Sequence, residues 1–140
     1  MKLAGLIGLF LICTYNGIAQ EKFISVGSGG GFAGTVTTYK IIPNGKVFKG
    51  SGLGDIKFTE CGKIKKSAAK KFVSAVADQT RLNTSFSHPG NLYYFIRYTE
   101  NGKEQTITWG DADHPVPADV KKLYEEIQAS VTVIRYKPVK

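Results

Sequence analysis

Between Gly29 and Tyr39 the chain reads G-G-G-F-A-G-T-V-T-T-Y. Four glycines around one phenylalanine argue against a helix interior, where each glycine costs about 1 kcal/mol relative to alanine. Glycine instead reaches positive φ and lets another backbone come close. The β-branched residues that follow, Thr35 to Thr38, suit a half-buried pleated surface. The stretch therefore predicts a tight loop that presents Phe32 and feeds a strand. Phe32 is the only bulky side chain between Gly27 and Gly34. A single aromatic on a rigid loop is a good anchor for a protein interface. Gly30, Gly31, Phe32, Ala33 and Gly34 are accordingly the candidate partner-binding residues.

The same glycines satisfy G-x-G-x-x-G. In a dinucleotide-binding fold those glycines open a helix whose N-terminus faces the pyrophosphate. Here a strand follows, so the pattern reads as a β-connection or a contact loop. No G-x-x-x-x-G-K-[ST] run occurs, and no cofactor is expected.

The rest of the chain alternates two periods. Lys22 to Ser28, Thr35 to Ile42 and Val47 to Lys49 read as strands. Pro43-Asn44-Gly45-Lys46 is a turn with Asn-Gly at its centre, the strongest short hairpin signal. Gly50, Gly52 and Gly54 mark a loose loop, and Asp55 to Glu60 is a further short strand or the approach to a helix. From Ile64 the period becomes helical. Ile64, Ala68, Phe72, Val73, Val76 and Ala77 share a face, with lysines mostly elsewhere, which predicts a helix from Lys65 to Arg81. Leu92 to Thr99 carries aromatics on both faces, as a strand covered on both sides does. Asn101-Gly102 turns it back into Gln105 to Trp109. Pro117 suits the first turn of a last helix, whose apolar face is Val120, Leu123, Tyr124, Ile127 and Val131. The order β-β-β-α-β-β-α predicts a single α+β domain, an antiparallel sheet of about five strands packed by two helices. Its expected core contains Phe72, Val76, Tyr94, Ile96, Ile107, Leu123 and Ile127. With 42% apolar and 21% charged residues, the chain has enough apolar surface for such a core and is not disordered overall.

Residues 1–19 are set apart from this domain, which is expected to span residues 20–140. Lys2 is followed by an uncharged apolar run from Leu3 to Cys13, then by Gly17-Ile18-Ala19, the pattern of a secretory signal peptide. The run is too short to span a bilayer, which needs about 20 apolar residues. Lipidation at Cys13 would call for a small residue before it, and Ile12 stands there. The expected product begins at Gln20, in the periplasm or the medium, without stable membrane insertion. The intact mass of exported protein checks this, and a diacylglycerol-modified Cys13 would contradict it. Removal of Lys2 with the leader takes the net charge from +8 to +7. Cys61, the one remaining cysteine, has no internal partner and is expected to be a buried thiol, with a link between chains as the alternative.

No catalytic constellation stands out. Cys61, His88 and an aspartate can be assembled on paper, but such groups are recognised by geometry and not by being present. Asp111-Ala112-Asp113-His114 contains ligand types for a metal but no second cluster to close a site. It reads as a turn in which Asp113 helps to start the last helix. An exported chain rarely meets nucleic acid, so its lysines read first as a solvated helix face, and its charge steers it toward acidic partners or surfaces.

Three stretches resemble the emfourin-like family, small bacterial proteinaceous inhibitors of protealysin and related thermolysin-like metallopeptidases. They are Ser28 to Tyr39 with its G-G-F-A-G core, and Pro89-Gly90 with the strand Tyr93 to Tyr98 and the turn Asn101-Gly102. The third is Thr106-Ile107-Thr108 leading through Asp111-Ala112-Asp113 and Pro115 to the helix of Val120 and Leu123. The chain departs from that family in its leader, in Trp109 and in a basic extension after Gln128. The resemblance implies a non-enzymatic protein that binds a secreted metallopeptidase and needs no cofactor. The alternatives are an envelope interaction protein without inhibitory activity and a small hydrolase.

Overall fold

A computed structural model describes residues 21–134. The leader and the basic tail after Ile134 lie outside the described residues. The elements are β1 (Lys22–Gly30), β2 (Val36–Ile41), β3 (Lys46–Gly52), β4 (Phe58–Lys63), α1 (Lys66–Leu82), β5 (Leu92–Glu100), β6 (Lys103–Trp109) and α2 (Ala118–Thr132). They form an α+β domain with one antiparallel sheet in the order β4-β3-β2-β1-β5-β6. Four strands meander to one edge, and α1 carries the chain back so that β5 pairs with the other side of β1. Among the described residues no helix is long and apolar enough to cross a membrane.

The turns follow their sequences. Asn101 and Gly102 both take positive φ, 52° and 78°, as a two-residue hairpin turn of right-handed strands requires. At the β2–β3 turn the Asn44 side chain accepts a hydrogen bond from the Lys46 amide at 2.9 Å. Among the described residues the sheet has six strands, one more than expected. β4 is the addition, because Phe58 to Lys63 is largely exposed and polar and lacks the alternation that marks a half-buried strand. It is an edge strand with a bulge: Val47 pairs with Gly62 and Phe48 with Glu60, leaving Cys61 as the extra residue. Cys61 is half-buried rather than buried, and burial pushes its thiol pKa up.

Register puts Ile24, Val26, Ile41, Val47, Ile96 and Ile107 on one face of the sheet. All six are fully buried and join Phe72, Val73 and Val76 of α1 and Val120, Leu123, Ile127 and Val131 of α2 in a single core. Both helices therefore cover this face. Six of the seven expected core residues are buried; Tyr94 is not, at 36% exposure. It shares the face of Ile96 but sits near the start of β5, where its ring meets Trp109 and Tyr124 at the margin of the helix layer.

The aromatics on both faces of β5 have a different cause from the expected double cover. Among the described residues no helix packs on the second face. Phe95 is buried there because it stands opposite Gly27 in the register and lies across it. A Cβ at Gly27 would approach the Phe95 ring to 2.7 Å. Arg97 adds a guanidinium 5.1 Å from the Phe95 centroid. This cation–π lid shields the ring from above.

Candidate functional site: an apolar tip at one end of the sheet

β1 runs two residues further than its sequence suggests, so Gly29 and Gly30 still belong to the strand. The chain then turns through Gly31, Phe32, Ala33 and Gly34 into β2. Gly30, Gly31 and Gly34 take φ of 91°, 76° and 64°, a region that side-chain-bearing residues enter at a cost. The Gly31 amide donates to the Asn91 carbonyl at 2.8 Å and the Gly34 amide to the Gly31 carbonyl at 3.2 Å. The first bond ties the loop to the segment before β5, and the second closes the turn.

Gly30 is fixed twice over. Besides its positive φ, a Cβ there would collide with the Asn91 carbonyl oxygen. Gly30→Ala is expected to destabilise the protein by roughly 1–3 kcal/mol, the scale of a residue forced into a sparsely populated backbone region. A melting curve checks this, and an unchanged midpoint would show that the loop adjusts freely.

Phe32 is fully exposed, at 110% of the reference area. It is not a core residue that happens to fall in a loop. Two further apolar side chains stand beside its loop. Leu53, in the β3–β4 loop, is 70% exposed, and its Cδ2 lies 3.5 Å from where a Cβ of Gly34 would be. Leu92, at the start of β5, is 56% exposed, with its Cδ2 3.2 Å from the corresponding point of Gly31. Neighbouring strand ends thus gather Phe32, Leu53 and Leu92 at one end of the sheet. The five candidate residues, Gly30 to Gly34, all lie in this tip.

Sequence reasoning missed both leucines, although a signal existed for one. Leu53 stands alone between Gly52 and Gly54, the same arrangement of one bulky residue among glycines that singles out Phe32. Leu92 reads as an ordinary strand residue. Only its pairing with Gly30 brings it to the tip.

An open cleft of about 450 Å³ adjoins the tip on the helix-covered face, lined by Tyr94, Trp109, Asp111, His114, Val116 and Tyr124 among others. Trp109 and Tyr124 meet edge to face at 5.1 Å. The rings touch one another, so they form a packed floor. Burial pushes the Tyr124 hydroxyl pKa up.

The acidic turn at the rim of this cleft is a self-contained unit. Asp111 accepts hydrogen bonds from the Asp113 amide at 3.0 Å and pairs with His114 Nδ1 at 2.8 Å. These two partners, the amide first, hold its carboxyl below the ordinary aspartate value of 3.8. His88 stacks on His114 with ring centroids 4.1 Å apart. Asp113 does not cap α2; Pro117 occupies that position without a side-chain hydrogen bond. Among the described residues no group of three or more His, Cys, Asp and Glu is placed to hold a metal.

A depressed carboxyl pKa stabilises the turn above the unfolded value, and this contribution is lost as pH falls through the folded one. The 111–114 turn is expected to loosen only below pH 3.8. The Asp113 amide resonance followed against pH checks it; a midpoint at or above that value contradicts the bond.

The paper triad of Cys61, His88 and an aspartate does not assemble. His88 hydrogen-bonds through its amide to Thr108 of edge strand β6, while Cys61 lies in β4 at the opposite edge. Comparison of the sequence with protein-family models and with curated proteins finds no match.

Proposed function

We propose that this chain is an exported protein-binding module that inserts its apolar tip into a concave partner, and that the partner is a thermolysin-like metallopeptidase whose cleft it blocks. The observation that carries the reading is a fully exposed Phe32 on a loop locked by three positive-φ glycines and a hydrogen bond to Asn91. Exposing a large aromatic to water is unfavourable in the free protein, and the exposed area becomes favourable on burial at an interface. A loop held in one conformation loses little entropy on binding. Leu53 and Leu92 widen the contact around the anchor and exclude water from its edge, as near-neutral residues around an interface hot spot do.

The choice of a metallopeptidase rests on the emfourin-like stretches, of which the first, Ser28 to Tyr39, contains the tip. Inhibition then consists of occupying the cleft, with no chemistry on this chain and no cofactor. The test is a photo-crosslinking phenylalanine analogue at position 32, mixed with a thermolysin-like peptidase and irradiated. The expected product joins position 32 to the wall of the active-site cleft. Adducts scattered over the peptidase surface, or none, would count against the reading and favour an envelope interaction module.

A further inference from the structure

A second surface lies at the other end of the sheet. The β2–β3 turn, the end of β4 and the first turns of α1 bring together Lys46, Lys63, Lys65, Lys66, Lys70 and Lys71. The Ile64 amide donates to the Gly45 carbonyl at 2.9 Å, which seats the turn against the start of the helix. Lys46 and Lys63 are directly paired across β3 and β4, and like charges in that arrangement repel. Lys66 and Lys70 are a like-charged i,i+4 pair on α1, also unfavourable. The first turn of α1 contains no acid and the helix has no side-chain N-cap, so cations sit at the positive end of its dipole. All but Lys46 are exposed. None of the six takes part in an ion pair among the described residues. No aspartate or glutamate occurs from Cys61 to Ala77.

Several local rules are thus broken together at one corner of the fold, with Lys46 and Lys63 on the open face of the sheet and the α1 lysines on its helix side, and that concentration is expected where a surface serves a partner. We propose that this lysine end docks the protein on an anionic phospholipid surface. The six cations are all lysines, compact point charges without the planar fork of arginine that orients a carboxylate or phosphate. Arg81 and Arg97 are instead paired with Asp78 and Glu104. Among the described residues the groove beside Lys63 and Lys65 is lined by Ile64, Val133 and Glu60 and by no aromatic or leucine side chain. Such an array fits a laterally averaged negative surface, where each lysine adds a similar increment.

The geometry also separates the two surfaces. β3 runs from Lys46 at the basic end to Gly52 next to Leu53 at the apolar tip, about 20 Å at the usual strand rise. A protein held by its lysine end presents Phe32 away from the bilayer. The inference does not depend on what the tip binds.

The test is co-sedimentation of the purified protein with vesicles of phosphatidylcholine containing phosphatidylglycerol, against phosphatidylcholine alone. Binding is expected only to the anionic vesicles and to fall steeply with added salt. The variant Lys63→Gln/Lys65→Gln/Lys66→Gln/Lys70→Gln should bind about a hundredfold more weakly or worse. A variant with the same charge loss elsewhere, Lys49→Gln/Lys57→Gln/Lys121→Gln/Lys122→Gln, should lose far less, and Phe32→Ala nothing. Circular dichroism confirms that each variant is folded, and single Lys→Gln changes replace any that is not. No binding, equal binding to neutral vesicles, equal loss in the two charge variants, or equal binding to soluble polyglutamate would overturn the proposal. The last outcome would point to an acidic protein instead.

Discussion

Phe72→Ala is expected to destabilise the protein by roughly 3–5 kcal/mol, the range for removing a large aromatic from a core. Phe72 lies on the inner face of α1, buried with Val73 and Val76 in the same cluster as Ile24, Ile96 and Ile107 of the sheet. Truncation removes the apolar area that the ring buries and leaves a cavity that the surrounding strands fill only in part. The loss is a large share of the 5–15 kcal/mol that holds a domain of this size together. Chemical denaturation of the variant measures it directly. A midpoint indistinguishable from that of the unmodified protein would mean that α1 does not pack on the sheet, and the fold described above would be wrong.

The core was legible because its periodicity is undiluted. Phe72, Val73 and Val76 fall on one helical face, and Ile96 and Ile107 keep their places on well-bounded strands. The hairpins were legible through Asn44-Gly45 and Asn101-Gly102, where residue chemistry dictates the turn. β4 was legible only as one of two readings of Asp55 to Glu60, a short strand or the approach to a helix, since a polar, bulged edge strand has no buried face to impose alternation. The burial of Phe95 was not legible, since it depends on Gly27, a residue 68 positions earlier in the chain brought opposite it by the pairing of β1 and β5. The tip was half legible. Its glycines and Phe32 are contiguous in sequence, whereas Leu53 and Leu92 join them only through the order of the strands. The His88–His114 stack is likewise a product of the fold, since the β6 edge has to bring the two segments together.

Phe32→Ala separates the two roles that a phenylalanine can have. A core residue loses several kcal/mol of stability on truncation and a surface anchor loses affinity instead. At full exposure Phe32 has almost no folded-state contacts to lose, so the melting temperature is expected to change little. Binding is expected to weaken by about 2 kcal/mol, roughly thirtyfold, the scale of an interface hot spot. Leu53→Ala and Leu92→Ala should each cost less, because residues that ring an anchor contribute mainly by excluding water. A variant that loses stability but keeps its affinity would remove the tip as the contact surface.

The most direct measurement is a titration of a thermolysin-like metallopeptidase with the unmodified protein and with Phe32→Ala, following hydrolysis of a peptide substrate. The account predicts that the unmodified protein suppresses activity at saturation and that the Phe32→Ala curve shifts about thirtyfold to higher concentration while the fold melts unchanged. Full peptidase activity at every concentration of the unmodified protein, across several such enzymes, would contradict it.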